Sequence, residues 1–340
     1  MRAVLIRQGP FGRRRIAVEP WPEPRQVSSG EVRIRVRAAG LNFADALMRR
    51  GLYPGAPRPP FVPGFEVAGE IETVGPEAPF AVGQRVLALM PSGGQAEQVV
   101  VPAAQVFPIP EAMPFEEAAA LPVAYLTAYM ALIEMAALKP GEWVLVHAAA
   151  GGVGLAALQI ARTVPDVRIL GTASAGKHAL LRAQGCDHPI DYRRRDYEPE
   201  VRRLTGGAGV HVVLDPLGGR DTRKNYRLLR PTGRLVLYGL MRPFGGPRRR
   251  PLRALWEHLQ APCFHPLRLM WENRAVIGLH LGRLWAEAAR LRNAMQTLLT
   301  WYAQGRIRPV IDRIYRLEEV ALAHKRLEER QNAGKIVLVP

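Results

Sequence analysis

The clearest pattern near the start of the chain is a strict alternation, Val32-Arg33-Ile34-Arg35-Val36-Arg37. A period of two puts the aliphatic side chains on one face and the arginines on the other, as in a half-buried strand. Prolines and glycines punctuate the same region densely, as at Tyr53-Pro54-Gly55 and Val62-Pro63-Gly64. Short strands with frequent turns predict a small barrel or irregular sheet over residues 1–110. The texture changes near residue 115. Phe115 to Leu138 is rich in Ala, Leu and Met, which predicts helix, broken at Pro122 and ended by the turn residues Lys139-Pro140-Gly141.

From Trp143 onward, strand and helix patterns alternate. The sequence predicts strands at Trp143–His147, Val167–Gly171, Val210–Leu214, Gly233–Tyr238 and Ala275–Leu279. Between them it predicts helices at Val153–Thr163, Lys177–Gln184 and Thr222–Leu229. Such alternation implies a parallel sheet with helices on both faces. Leu284–Gln304 predicts one long amphipathic helix, and the tail from Ile307 to Pro340 returns to strand, helix and strand. The tail is expected to pack back on the first domain and make it discontinuous. The expected division is 1–122 with 283–340 as a substrate domain, and 123–282 as a doubly wound, parallel-sheet dinucleotide-binding domain.

Composition adds little to this and excludes more. A length of 340 residues suits two domains, and 48% hydrophobic with 23% charged residues is ordinary for a globular protein. No uncharged apolar run of about 18 residues occurs, and arginines interrupt the N-terminus too early for a signal-peptide core. The expected compartment is the cytoplasm. Two cysteines, Cys186 and Cys263, are too few for a disulfide framework or a four-cysteine zinc site. The formal charge of +17 can attract nucleic acid, anionic membrane or phosphorylated ligands. The arginines are mostly scattered and form no basic tail, which argues against nucleic acid and suits either a bias of genome composition or a general attraction for an anionic cofactor.

The stretch richest in chemistry is Trp143-Val144-Leu145-Val146-His147-Ala148-Ala149-Ala150-Gly151-Gly152-Val153-Gly154-Leu155. A predicted strand runs into a glycine turn, and a helix follows at once. A tight turn lets the backbone approach a pyrophosphate, whose charge then faces the N–H groups and dipole of the helix. The dinucleotide fingerprint has three glycines; here Ala149 stands first, with Gly151 and Gly154 at the other two positions. Gly151, Gly152, Val153 and Gly154 are the expected pyrophosphate residues. His147, within the buried strand, is expected to be a satisfied core histidine.

The next strand bears on which dinucleotide is bound. An acidic residue about 20 positions past the glycines would bind the ribose 2′-hydroxyl of NAD. Here the segment reads Arg168-Ile169-Leu170-Gly171-Thr172-Ala173-Ser174-Ala175-Gly176-Lys177-His178, with no acid. Ser174 and Lys177 supply a hydroxyl and a cation, both suited to a 2′-phosphate, so NADPH is the expected cofactor. The bland reading makes Ser174 a helix cap and Lys177 a surface charge.

With these residues in place, the chain resembles the medium-chain dehydrogenase/reductase superfamily. Ala148–Gly154 resembles the turn of its quinone oxidoreductase branch. Ala39-Gly40-Leu41-Asn42-Phe43-Ala44-Asp45, Arg50-Gly51-Leu52-Tyr53-Pro54 and Pro63-Gly64-Phe65-Glu66-Val67-Ala68-Gly69 agree with it. His147–Leu155, Gly171–His178, Asp215–Gly219 and Asn273–Gly282 are most similar to the synaptic vesicle amine-transport protein homologues. The resemblance implies a Rossmann cofactor domain, a β-rich GroES-like substrate domain, and a homodimer formed by pairing of the Ala275–Leu279 strands. NADPH would lie between the two domains.

The zinc-dependent members carry a cysteine ligand in the first domain and a Gly-His-Glu motif. This chain has Gly64-Phe65-Glu66 and no cysteine before Cys186. A catalytic zinc needs about three protein ligands, so a zinc-free enzyme with no metal is expected. The substrate carbonyl must then be polarised by hydrogen bonds. The resemblance points to Asn42 and Tyr53 near the nicotinamide, with Thr127 beside it as a catalytic and cofactor-contacting residue. An amide and a phenol can donate to an oxygen that becomes negative as hydride arrives, with water or Tyr53 supplying the proton. The same resemblance places Tyr192 near the adenosine end and Asn332 near the phosphates or nicotinamide. Asp45 is expected to be structural.

The expected reaction is hydride transfer to a quinone or an α,β-unsaturated carbonyl. Two alternatives stand beside it: a zinc-free alcohol dehydrogenase or ketone reductase, and an NADPH-binding, membrane-associated protein with little catalysis. The segment 243–271 mixes Arg248, Arg249, Arg250 and Arg253 with Trp256, Phe264, Leu267, Leu269, Met270 and Trp271. Clustered arginines beside large apolar groups suit an anionic membrane surface, a lid or a dimer face. Lid or dimer packing is the expected use.

Overall fold

The chain opens with a hairpin in which β1 (Arg2–Gln8) pairs antiparallel with β2 (Arg14–Pro20). β3 (Glu31–Leu41) then turns the period-two pattern into two faces. Val32, Ile34 and Val36 are buried, while Arg35 and Arg37 face outward and pair with Glu72 and Glu70 of β4 (Glu66–Val74). The structure is a computed structural model that describes residues 1–9, 14–241, 256–257 and 259–340. The chain divides into two compact units: Met1–Ala124 with Leu284–Pro340, and Tyr125–Arg283.

The first unit is built on a seven-stranded sheet. β5 (Arg85–Leu89), β6 (Gln98–Pro102) and β7 (Val106–Pro108) come from the first third of the chain, and β14 (Ile311–Arg316) and β15 (Lys335–Val339) from its end. The order is β14-β15-β3-β4-β5-β7, with β6 also on β3. One core cluster joins Val32, Ile34, Val67, Ile71, Val86, Val101 and Val106, all essentially inaccessible. Burying each such aliphatic side chain contributes roughly 1.5–3 kcal/mol relative to leaving it exposed. The helices of this unit include α1 (Phe43–Arg49) and α2 (Phe115–Ala120). α3 (Pro122–Tyr129) begins at the proline that was expected to interrupt the helix, where the missing N–H costs nothing.

The second unit holds a six-stranded, wholly parallel sheet. Its strands are β8 (Trp143–Val146), β9 (Arg168–Ala173), β10 (His188–Asp191), β11 (Val210–Asp215), β12 (Leu229–Leu237) and β13 (Ala275–Gly278). They lie in the order β10-β9-β8-β11-β12-β13. Counted within the unit this is 3-2-1-4-5-6, the order of dinucleotide-binding folds, and it reverses direction between β8 and β11. α4 (Gly152–Ala161), α5 (His178–Ala183), α6 (Tyr197–Leu204), α7 (Arg220–Arg227) and α8 (Pro266–Glu272) belong to this unit. The central strands carry continuous buried aliphatic runs, Val144–Val146 in β8 and Val212–Leu214 in β11, as a sheet covered on both faces requires.

Three details differ from the pattern reading. β10 and α6 were not anticipated. β10 has four residues and contains Pro189, which a sheet tolerates because this strand lies at its edge. α6 buries only Tyr197 and Val201 among charged neighbours, too little for a periodic signal. Leu284–Gln304 is not one helix: the turn Trp285–Glu287 precedes α9 (Ala288–Ala303). α10 (Val320–Glu328) completes the tail. Of the basic insert, residues 243–255 and 258 lie outside the described residues.

Candidate active site

The glycine turn leaves the end of β8 at the strand-order reversal. His147 is fully enclosed, its Nδ1 3.1 Å from Thr172 Oγ1 and its Nε2 2.7 Å from Asn225 Oδ1. Burial pushes this imidazole below its ordinary pKa, so it is a satisfied core group. Ala148 takes φ +51°, the left-handed region that alanine rarely enters, and bends the chain so that its carbonyl accepts the N–H of Gly151 at 2.9 Å. A Cβ on Gly151 would meet that carbonyl oxygen at 3.2 Å. A Cβ on Gly154 would meet it at 2.5 Å and Ala149 Cα at 2.6 Å. Gly154 therefore lets α4 approach β8. Gly151, the N-cap of α4, brings no side-chain cap to the first N–H groups of the helix, an arrangement that can hold an anion.

Ser174 and Lys177 follow the end of β9, and Tyr192 follows β10, 40% exposed. Because β8, β9 and β10 are parallel neighbours, the topology sets all three at the same C-terminal end of the sheet as the glycine turn. Ser174 stands at the N-cap of the helical turn that follows, and its side chain makes no capping hydrogen bond there. Thr127 lies on α3 and is 8% exposed.

The remaining expected residues lie in the first unit. Asn42 stands at the junction of β3 and α1. Its backbone N–H donates to Asp45 Oδ2 at 2.8 Å, and the Gly64 N–H donates to Asp45 Oδ1 at 3.0 Å. Asp45 is fully buried, and desolvation pushes its pKa up to about 7. It braces the backbone, as expected. Tyr53 packs edge-on to Phe65, ring centroids 5.5 Å apart. Asn332 precedes β15 and donates from Nδ2 to the Gly334 carbonyl at 2.9 Å.

Sequence reasoning missed the group that organises this end of the sheet. Lys335 Nζ donates to Glu66 Oε1 at 2.6 Å, to Asn42 Oδ1 at 2.8 Å and to the Leu41 carbonyl at 3.1 Å. Asn42 Nδ2 donates to Glu66 Oε1 at 2.7 Å, and the Val123 N–H donates to Oε2 at 2.7 Å. The two charged side chains are 5% and 0% exposed. Removing one partner of such a buried pair costs about 3–5 kcal/mol, because the other charge is left without compensation. Gly40 makes room for it: a Cβ there would meet Glu66 Oε1 at 2.3 Å. Lys335 begins a strand and reads in sequence as a surface charge. Gly40, two residues before Asn42, was the one local sign that something fills the space beside β3.

The donor set does not fit a catalytic zinc. Phe65 has no ligand atom, and both oxygens of Glu66 already accept hydrogen bonds from within the chain. Among the described residues no group of three or more His, Cys, Asp or Glu could hold a metal ion. Among them also, no helix is long and apolar enough to cross a membrane.

Comparison with known proteins agrees with this architecture. Residues 28–111 match the alcohol dehydrogenase GroES-like domain, and residues 184–338 match a zinc-binding dehydrogenase domain. The chain is 48% identical to a synaptic vesicle membrane protein VAT-1 homolog of Danio rerio over 92% of its length, which spans 64% of that protein. It is 47% identical to the Rattus norvegicus counterpart, over 96% of this chain and 80% of the relative. The crystal structure of the quinone oxidoreductase from Thermus thermophilus, also described in complex with NADPH, superposes with a TM-score of 0.81, 37% identity and full coverage of both chains. The GroES-like first unit, the parallel dinucleotide-binding sheet and these relatives together show that the chain belongs to the medium-chain dehydrogenase/reductase superfamily of oxidoreductases, close to the VAT-1 homologues and the quinone oxidoreductase-like proteins.

Proposed function

We propose that this protein is a zinc-independent, NADPH-dependent reductase that passes hydride to a quinone or an α,β-unsaturated carbonyl. The observation that carries the reading is the uncapped glycine turn at the strand-order reversal, with Ser174 and Lys177, and no carboxylate, at the end of the neighbouring strand. The Thermus thermophilus quinone oxidoreductase, solved with NADPH, supports it. NADPH would supply the hydride. Gly151, Gly152, Val153 and Gly154 would hold its pyrophosphate, Ser174 and Lys177 its 2′-phosphate, and Tyr192 its adenosine end. Thr127 and Asn332 would contact its nicotinamide side.

The chain's own part is binding, orientation and charge stabilisation. Asn42 retains one Nδ2–H beyond its bond to Glu66, and that donor would meet the substrate oxygen as negative charge grows on it. Tyr53 would line the substrate side and supply, with water, the proton. The first unit acts as substrate domain and the second as cofactor domain, in the cytoplasm. The outer edge of β13 is unpaired among the described residues, and we assign it to a homodimer by strand pairing. Light scattering that returned the mass of one chain would remove the dimer.

Fluorescence titration with NADPH and NADH, followed by a panel of quinones, enones, ketones and alcohols read at the nicotinamide absorbance, tests the reading. Tight NADPH binding with turnover of quinones or enones is expected. Failure to bind either nucleotide overturns it.

A further inference from the structure

The Lys335–Glu66–Asn42 cluster does more than hold β15 to β3. A lysine ammonium has three donors and no acceptor, and all three are used, on Glu66, Asn42 and Leu41. A carboxylate only accepts. These two facts decide the orientation of the Asn42 amide: oxygen must face Lys335 and nitrogen must face Glu66. A flipped amide would set NH₂ against the ammonium and oxygen against the carboxylate. One Nδ2–H is committed to Glu66, and the other is left in a fixed direction. The cation on Oδ1 also draws electron density from the amide and strengthens the remaining N–H as a donor.

We propose that Lys335, anchored by Glu66, is a positioning residue that orients and polarises the Asn42 amide for the substrate oxygen. This rests on the reading of Asn42 as the donor to that oxygen. The chain thus keeps a buried cation near the oxygen-binding group without a metal, with the Asn42 amide between the ammonium and the substrate. Asp45, Glu66, the Lys335 ammonium and the backbone N–H groups of Asn42, Gly64 and Val123 are the charged and polar groups facing the cluster. Gly40 and the N-cap backbone of α1 keep the space and the angle.

Two readouts on the full chain test it. In the first, kcat, KM and NADPH affinity are compared for wild type, Lys335→Met, Asn42→Ala and the double variant. Lys335→Met should lower kcat about 10- to 100-fold, less than or equal to the loss from removing an oxyanion donor outright. NADPH affinity should stay within about twofold. In the Asn42→Ala background, Lys335→Met should cost less than about twofold more. An equal loss in both backgrounds overturns the proposal, since a merely structural lysine acts whether or not Asn42 is present.

The second readout needs no turnover. The chain has five asparagines, Asn42, Asn225, Asn273, Asn293 and Asn332, so asparagine-labelled protein gives a simple side-chain amide spectrum, with the Asn42 pair identified by its loss in Asn42→Ala. Lys335→Met should move that pair and leave the other four in place; an unmoved pair overturns the proposal. A protein with no turnover of any acceptor fails the functional reading instead, whatever the spectrum shows. If Lys335→Met does not fold, the paired variant Glu66→Gln with Lys335→Met buries no net charge and carries the same two expectations.

Discussion

Gly154 sits so close beneath the end of β8 that a Cβ built on it would lie 2.5 Å from the carbonyl oxygen of Ala148. That oxygen belongs to backbone already strained into the left-handed region, so it cannot retreat cheaply. Gly154→Ala should force α4 away from the sheet. Overpacking of this kind costs about 1–3 kcal/mol. We expect a lower Tm and an NADPH affinity weakened at least tenfold. Titration showing unchanged affinity would mean the turn is scaffold and not a pyrophosphate cradle.

In the proposed function the end of β9 sets cofactor choice. A charge-assisted hydrogen bond is worth about 1.5–3 kcal/mol, and 1.4 kcal/mol is tenfold in affinity. Lys177→Ala should therefore weaken NADPH about tenfold and leave NADH nearly unchanged. Ser174→Asp, which adds a carboxylate where a 2′-phosphate would lie, should reverse the preference. Equal effects on both nucleotides would refute this assignment.

The two cysteines should behave differently. Cys186 is buried, and desolvation pushes its thiol up to about 12, whereas Cys263 is exposed. Since thiolate is the reactive form, a disulfide reagent at pH 8 should titrate one thiol quickly in the native protein and the second only on unfolding. Cys263→Ser should abolish the fast reaction. Two fast equivalents would show that the β9 end of the sheet opens readily.

His324, on α10, is wholly buried with neither ring nitrogen bonded. Burial, and then the charge of Arg49, lowers its pKa to about 3. The folded state thus binds its proton less readily than the unfolded state, whose histidine titrates near 6.5. Between those values the unfolded chain carries the extra proton, so stability falls as pH falls, by about 1.4 kcal/mol per unit from this residue. Above about pH 6.5 the contribution is flat. Urea unfolding of wild type and His324→Leu from pH 7 to pH 4 should show a shallower acid slope in the variant. Asp45, raised to about 7, contributes with the opposite sign in both proteins, so the difference between them isolates His324. Parallel slopes would contradict the burial of an uncharged ring.

The sequence by itself determined what neighbouring residues can encode. The alternation in β3, the strand–turn–helix at Gly151–Gly154, the βα repetition after Trp143 and the missing acid after β9 each arise from residues a few positions apart. At such spacings the period of a strand or helix decides which side chains share a face. Even Phe65, which removes a zinc ligand, is legible on its own. Only the tertiary structure decided which charges go inside. Lys335 and Glu66 are 269 positions apart, and neither shows in its own segment that it will be desolvated. The same holds for His324 against Arg49, and for the contrast between Cys186 and Cys263. An ion pair is read from distance in space, and that distance exists only after β15 returns to lie against β3.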